Sequence, residues 1–192
     1  KNAALWAKEK LKAKTAPAGE FRALCEHQLT GVLAHESFGH LTEGDFVMSK
    51  ASPLSGMAGQ KLGSESATIV DEGPMDTSAL NAYWMPVDDQ GVPAGKTVLL
   101  DKGMFNGYLH SRVTASALGE RPSGNGRAIN FYYPPIPRMR NTYFMPGDMT
   151  EDEAIRELGT GIYAIRSHGG EVNLDGTFLF KAARGYWVEK GE

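Results

Sequence analysis

Two imidazoles and a carboxylate fall within six positions of this chain, in His35-Glu36-Ser37-Phe38-Gly39-His40, directly after the apolar run Gly31-Val32-Leu33-Ala34. These residue types suggest a metal site. Neutral imidazoles suit zinc, and a catalytic zinc usually takes three protein ligands and keeps a fourth position for a water whose pKa it lowers. His35 and His40 are the candidate ligands. Glu36, beside a ligand without being one, is the candidate acid/base that takes a proton from the water and passes it to the leaving amine.

The spacing differs from the zincin pattern, which has histidines four apart on one helical face. Five residues of regular helix would turn the two imidazoles about 140° away from each other. A shared metal therefore requires the helix to end, widen or bend between them. Gly39 is where an irregular or left-handed backbone costs least. The competing reading of the motif alone is a buried helix carrying two unrelated histidines.

Other residues can join this chemistry. Glu43 and Asp45 follow the motif, and a ligating imidazole usually donates its other N–H to a carboxylate, so either can orient His35 or His40. The alternative for both is a solvated turn closing the helix. His110 can stabilise an oxyanion or bind substrate, or it can cap a helix or face solvent. Cys25 is the only thiol and is read as a small buried hydrophobe rather than a ligand. His27 and His168 are read as loop and turn residues.

The motif has a familiar setting. His35 to Phe46 resembles the signature of the TldD/PmbA family of metalloproteases, also called modulators of DNA gyrase. Ala16 to Phe21 is similar to the lead-in, and Ser123-Gly124-Asn125-Gly126-Arg127 with Pro137 to Tyr143 to a second block. Gly161-Ile162-Tyr163, Gly169 to Val172 and Gly176 to Phe180 resemble the family's late hairpins. The likeness is closest to the TldD-like branch, since PmbA-like paralogues generally lack the metal-binding histidines.

The resemblance implies a zinc-dependent peptidase that hydrolyses unfolded or extended peptides, with a third ligand, a cysteine, expected beyond Glu192. It implies that Arg138, Asn141 and Tyr143 line the substrate cleft, against which stands a structural strand whose arginine packs on an acidic neighbour. It also implies a homodimer, or a heterodimer with a PmbA-like subunit. The rival from another class is a non-catalytic peptide-binding or assembly module that keeps the fold. The chain starts at Lys1 and ends on a strand running into a turn, so a central piece of a longer protein, inactive alone, is expected.

Composition sets further bounds. With 192 residues, 41% of them hydrophobic, the chain can bury a core. A single cysteine excludes an internal disulfide framework, and no stretch reads as a signal peptide or membrane span, so a cytoplasmic protein is expected. The net charge of −3 gives nucleic-acid binding no electrostatic support.

The elements that must position the motif read as an α+β fold, mainly antiparallel and truncated at both ends. Residues 1–66 supply an N-terminal helix (Asn2 to Lys14), a short strand (Glu20 to Cys25), the motif helix from near Leu29 and a long loop from Gly44 to Glu65, a candidate lid. Residues 67–192 form a β-rich region in one continuous domain fragment. Its strands are expected at Ala67 to Asp71, Ala82 to Val87, Lys96 to Leu100, Met104 to Leu109, Ile162 to Ile165, Glu171 to Leu174 and Phe178 to Glu189. Asp101-Lys102-Gly103 reads as a hairpin turn, Ser111 to Leu118 as a helix stopped at Gly119, and Thr150 to Glu153 as a helix capping box.

Overall fold

A computed structural model describes residues 2–73, 82–173 and 175–192. Five α-helices are formed within these residues: α1 (Asn2–Lys10), α2 (His27–Ala34), α3 (Gly44–Met48), α4 (Arg112–Leu118) and α5 (Glu151–Leu158). The strands are β1 (Ala23–Cys25), β2 (Ile69–Glu72), β3 (Lys96–Asp101), β4 (Met104–Phe105), β5 (Gly126–Arg127), β6 (Ile136–Pro137), β7 (Asn141–Phe144), β8 (Gly161–Val172) and β9 (Phe178–Val188). They build a four-stranded sheet in the order β4-β3-β2-β7, a three-stranded sheet β1-β8-β9 and the small β5-β6 pair. Every pairing is antiparallel except β1 with β8. This is an α+β fold. No helix among the described residues is long and apolar enough to cross a membrane.

The motif helix lies between the two larger sheets. Helix α2 packs against β8 of one and β7 of the other. Ala34, with no exposed surface, joins a core of Ile69, Leu99, Leu100, Phe105, Leu109 and Met139, and the ring of Phe38 meets Phe105 edge-on at 5.6 Å. Burial of this apolar face against both sheets fixes the rotation of the helix about its axis, and therefore the direction of the histidines.

Local signals behave as the chemistry requires at several ends. Lys102 and Gly103 both take positive φ, 46° and 80°, making the tight turn between β3 and β4. Ser111 and Thr114 cap α4 reciprocally, and Gly119 closes it at φ 72°. Thr150 and Glu153 form the capping box of α5.

Other elements differ from the sequence reading. The first helix stops at Lys10 rather than Lys14, and the strand before the motif pairs with β8 over only three residues, Ala23–Cys25, before α2 begins at His27. Residues 82–87 form no ladder among the described residues; Trp84 and Val87 carry isolated bridges, that of Val87 to Pro93. The expected strand from Met104 ends at Phe105. Ile162–Ile165 and Glu171–Val172 belong to one strand, β8, whose register shifts between Ser167 and Gly170. Positive φ at Arg166 and Gly169 absorbs that bulge. Leu174 lies outside the described residues.

The long segment after the motif is also shorter and better tied than the sequence suggests. It begins as α3, and the remainder is held from outside. Tyr108 donates its hydroxyl to the Leu54 carbonyl at 2.6 Å and accepts from the Gly56 amide, while the Leu62 and Gly63 amides both reach the Gly103 carbonyl. Leu54, Met57 and Leu62 pack against the core. This segment is a packed wall rather than a lid.

Candidate metal centre

The helix does widen between the histidines. After Ala34 the backbone runs as a π-helix over His35–Gly39, with the His40 amide donating to the His35 carbonyl, and then as a 3₁₀ turn over His40–Thr42. An i→i+5 turn brings residues five apart onto one face, as i and i+4 are in an α-helix. The ring centroids of His35 and His40 consequently lie 4.5 Å apart, with the planes at 84°.

Nearby hydroxyls brace the altered turn: Ser37 donates back to the Leu33 carbonyl at 2.5 Å, and Thr42 donates to the Gly39 carbonyl at 2.7 Å. Gly39 itself is right-handed, with φ −56°, so conformational freedom is not its role. A Cβ there would stand 2.0 Å from Sδ of Met139 and 3.3 Å from the Ala34 carbonyl oxygen. The glycine lets Met139 close over the widened turn.

Ligand atoms of His35, Glu36 and His40 all lie within 4.8 Å of one another. Oε2 of Glu36 is 4.0 Å from Nε2 of His40, and its carboxylate makes no hydrogen bond among the described residues. Gly170, in the β8 bulge, backs this side chain: a Cβ on it would come within 2.7 Å of Glu36 Cγ.

Glu43 organises the other flank. It is fully buried, and its Oε2 accepts from Nδ1 of His40 at 3.1 Å and from Nη1 of Arg138 at 3.2 Å, while Oε1 accepts from the Met139 amide at 3.3 Å. Holding Nδ1 in this way selects the tautomer that leaves Nε2 of His40 open toward His35 and Glu36. The hydrogen bond to Glu43 pushes the pKa of His40 up, and burial opposes it. His35 is pushed down by burial, then by His40, with a smaller push from Arg127. One neutral imidazole and one with its second nitrogen tied to a carboxylate form a donor set that fits a divalent metal of zinc's preferences.

The remaining residues singled out in the sequence are placed as follows. Asp45 does not touch a histidine; it pairs with Nη1 of Arg138 at 3.2 Å, so Arg138 bridges Glu43 and Asp45. Asn141 and Tyr143 lie on β7, the outer strand of its sheet. Asn141 holds the backbone of Glu72 and Tyr83, and the Tyr143 hydroxyl donates to Glu72 at 2.8 Å; burial and Glu72 push it up to about 12. His110 is buried against Thr114 at 3.2 Å and Gly44, and its amide donates to Ser123. Cys25 sits on β1, where burial raises its thiol pKa. His27 and His168 are exposed; neither they nor Cys25 belong to the cluster.

Three contributors were not visible as site residues in the sequence. Met139 and Gly39 are 100 positions apart, and no local pattern links them. Gly169-Gly170 reads as a turn, although paired glycines inside a strand also mark close approach by another group, which here is Glu36. Arg127, in the second block, donates to the Met139 carbonyl at 3.3 Å and places its charge near His35.

Residues 18–192 match the family model described as the PmbA/TldA metallopeptidase C-terminal domain. A metalloprotease of Methanothermobacter thermautotrophicus is 40% identical over 183 residues, and a metalloprotease of Methanocaldococcus jannaschii is 38% identical over 196. These alignments cover 95% and 100% of this chain but 39% and 43% of the relatives, so the chain spans about two fifths of their length. Among solved structures, a Thermotoga maritima protein described as a modulator of a DNA gyrase is 26% identical with a TM-score of 0.72, over 94% of this chain and 40% of that one. TldE of Thermococcus kodakarensis, 23% identical over 89% of this chain and 41% of its own, shares the fold with a TM-score of 0.73. With the match running through the histidine motif and both sheets that position it, this chain belongs to the PmbA/TldA metallopeptidase family, as its C-terminal domain.

Proposed function

We propose that the full-length protein is a zinc-dependent peptidase acting on unfolded or extended peptides. The observation that carries this is the π turn that gathers the ligand atoms of His35, Glu36 and His40 within 4.8 Å, with Glu43 fixing the His40 tautomer. His35 and His40 would hold the ion, and the third protein ligand would be a cysteine beyond Glu192. Zinc at this place would lower the pKa of a water and polarise a peptide carbonyl.

The chain's own groups do the rest. Glu36 has no competing hydrogen bond among the described residues, and it takes a proton at Oε2 and later gives it to the leaving amine. Gly170 keeps it pointed at the histidines. Glu43 and Arg138 hold His40 against rotation, and Met139 closes the buried side of the turn. The partner would be a second copy or a PmbA-like subunit.

The test is Glu36→Gln in the full-length protein, followed by peptide hydrolysis and zinc content. Loss of hydrolysis by at least about two orders of magnitude with metal retained is the expected result. Near-normal turnover at full metal occupancy would remove Glu36 from its role.

A further inference from the structure

We propose that Arg127 recognises a carboxylate of the substrate, so that the peptides taken by this site are those presenting a free C-terminus or an acidic side chain beside the histidines. The proposal rests on the peptidase reading above and names its substrate class.

The other cations of this region are already used. Arg138 is committed to Glu43 and Asp45, and Arg140 to Asp71, within a nearly fully buried pair at 2.9 Å. Arg127 is exposed and has no acidic partner among the described residues. Its one side-chain hydrogen bond among the described residues runs from Nη1 to the Met139 carbonyl at 3.3 Å.

That single anchor decides what the residue can do. A guanidinium fixed at one Nη keeps Nε and the other Nη as two parallel donors, the arrangement that meets both oxygens of a carboxylate. A lone carbonyl oxygen needs only one donor, and a lysine would serve it as well.

Position follows from the same contact. Met139, whose carbonyl holds Arg127, donates its amide to Glu43, the partner of His40, and lays its sulfur over Gly39 within the motif. Arg127 is therefore carried on the residue that closes the metal centre, at the base of the β5–β6 hairpin. A cation held there gives an extended peptide a charged end-stop.

Binding distinguishes this from the hydrolytic reading. Full-length protein carrying Glu36→Gln would be titrated, by fluorescence anisotropy, with a dye-labelled alanine-glycine hexapeptide as free acid, as C-terminal amide, and as an amide containing one glutamate. The free acid or the glutamate peptide should bind about 10- to 100-fold more tightly than the plain amide. Which of the two does so identifies the source of the carboxylate. Arg127→Gln should erase the preference, and Arg127→Lys should restore only part of it.

Equal binding of all three peptides, or a preference unchanged in Arg127→Gln, would overturn the proposal. If Arg127→Gln does not fold, Arg127→Lys carries the test, and an unchanged preference in it would overturn the proposal. A carboxylate preference without hydrolysis by the metal-loaded wild type would leave Arg127 standing and remove the peptidase reading. Hydrolysis without the preference would do the reverse.

Discussion

Nδ1 of His40 and Oε2 of Glu43 lie 3.1 Å apart, and Glu43 has no exposed surface. A carboxylate so placed has one task it does better than any neutral group, which is to hold the imidazole in one tautomer and one orientation. Glu43→Gln should therefore weaken zinc binding by the full-length protein about 10- to 100-fold while leaving the fold intact. Calorimetric titration checks this, and unchanged affinity would mean that His40 is oriented by something else.

Gly39 offers a steric test of the widened turn. Because a Cβ there would sit 2.0 Å from Met139 Sδ, Gly39→Ala should cost about 1–3 kcal/mol in urea unfolding. Met139→Ala leaves a cavity and should cost about 2–5 kcal/mol alone. The double variant should be more stable than the sum of the two predicts, since each change relieves the other. Strict additivity would show that the two residues do not share that space.

Asp71 is the hub of the four-stranded sheet. It is fully buried and accepts from the Arg140 amide at 2.7 Å, Arg140 Nε at 2.9 Å, Thr142 at 2.8 Å and Asn125 at 2.7 Å. Asp71→Ala leaves a buried guanidinium without its counter-charge, so a loss of about 3–5 kcal/mol is expected. Denaturant unfolding measures it, and a loss below about 1 kcal/mol would contradict the buried-pair account.

His110 gives stability a pH dependence. Burial lowers its pKa below the ordinary 6.5, so the unfolded chain binds more protons than the folded one in the window beneath that value. Its contribution is complete above pH 6.5 and is lost as pH falls through the lowered folded value. Unfolding midpoints at pH 7.5 and 5.5 should show wild type losing more stability than His110→Gln. Equal losses would assign the acid sensitivity to other groups.

The fold was legible where the signal was local. Capping at Thr150 with Glu153, the Lys102-Gly103 turn and the stop at Gly119 are written in residues three or four apart. The need for an irregular helix between His35 and His40 followed from angular arithmetic alone. What stayed hidden depends on partners distant in the chain. The function of Gly39 is set by Met139, and the reach of Arg138 by Glu43 and Asp45. The continuity of β8 was hidden for another reason, because its bulge places glycines in mid-strand where they read as a break.

The π turn can also be counted as an insertion. Removing Ser37 would leave His35-Glu36-Phe38-Gly39-His40, with the histidines four apart and the glutamate still beside the first. An unbroken α-helix then carries both rings on one face, and everything from Gly39 onward, including the contacts to Met139 and Glu43, keeps its place. Tolerance at this point is therefore a matter of chain length as well as side-chain identity. A one-residue deletion should preserve metal affinity where a one-residue addition would abolish it.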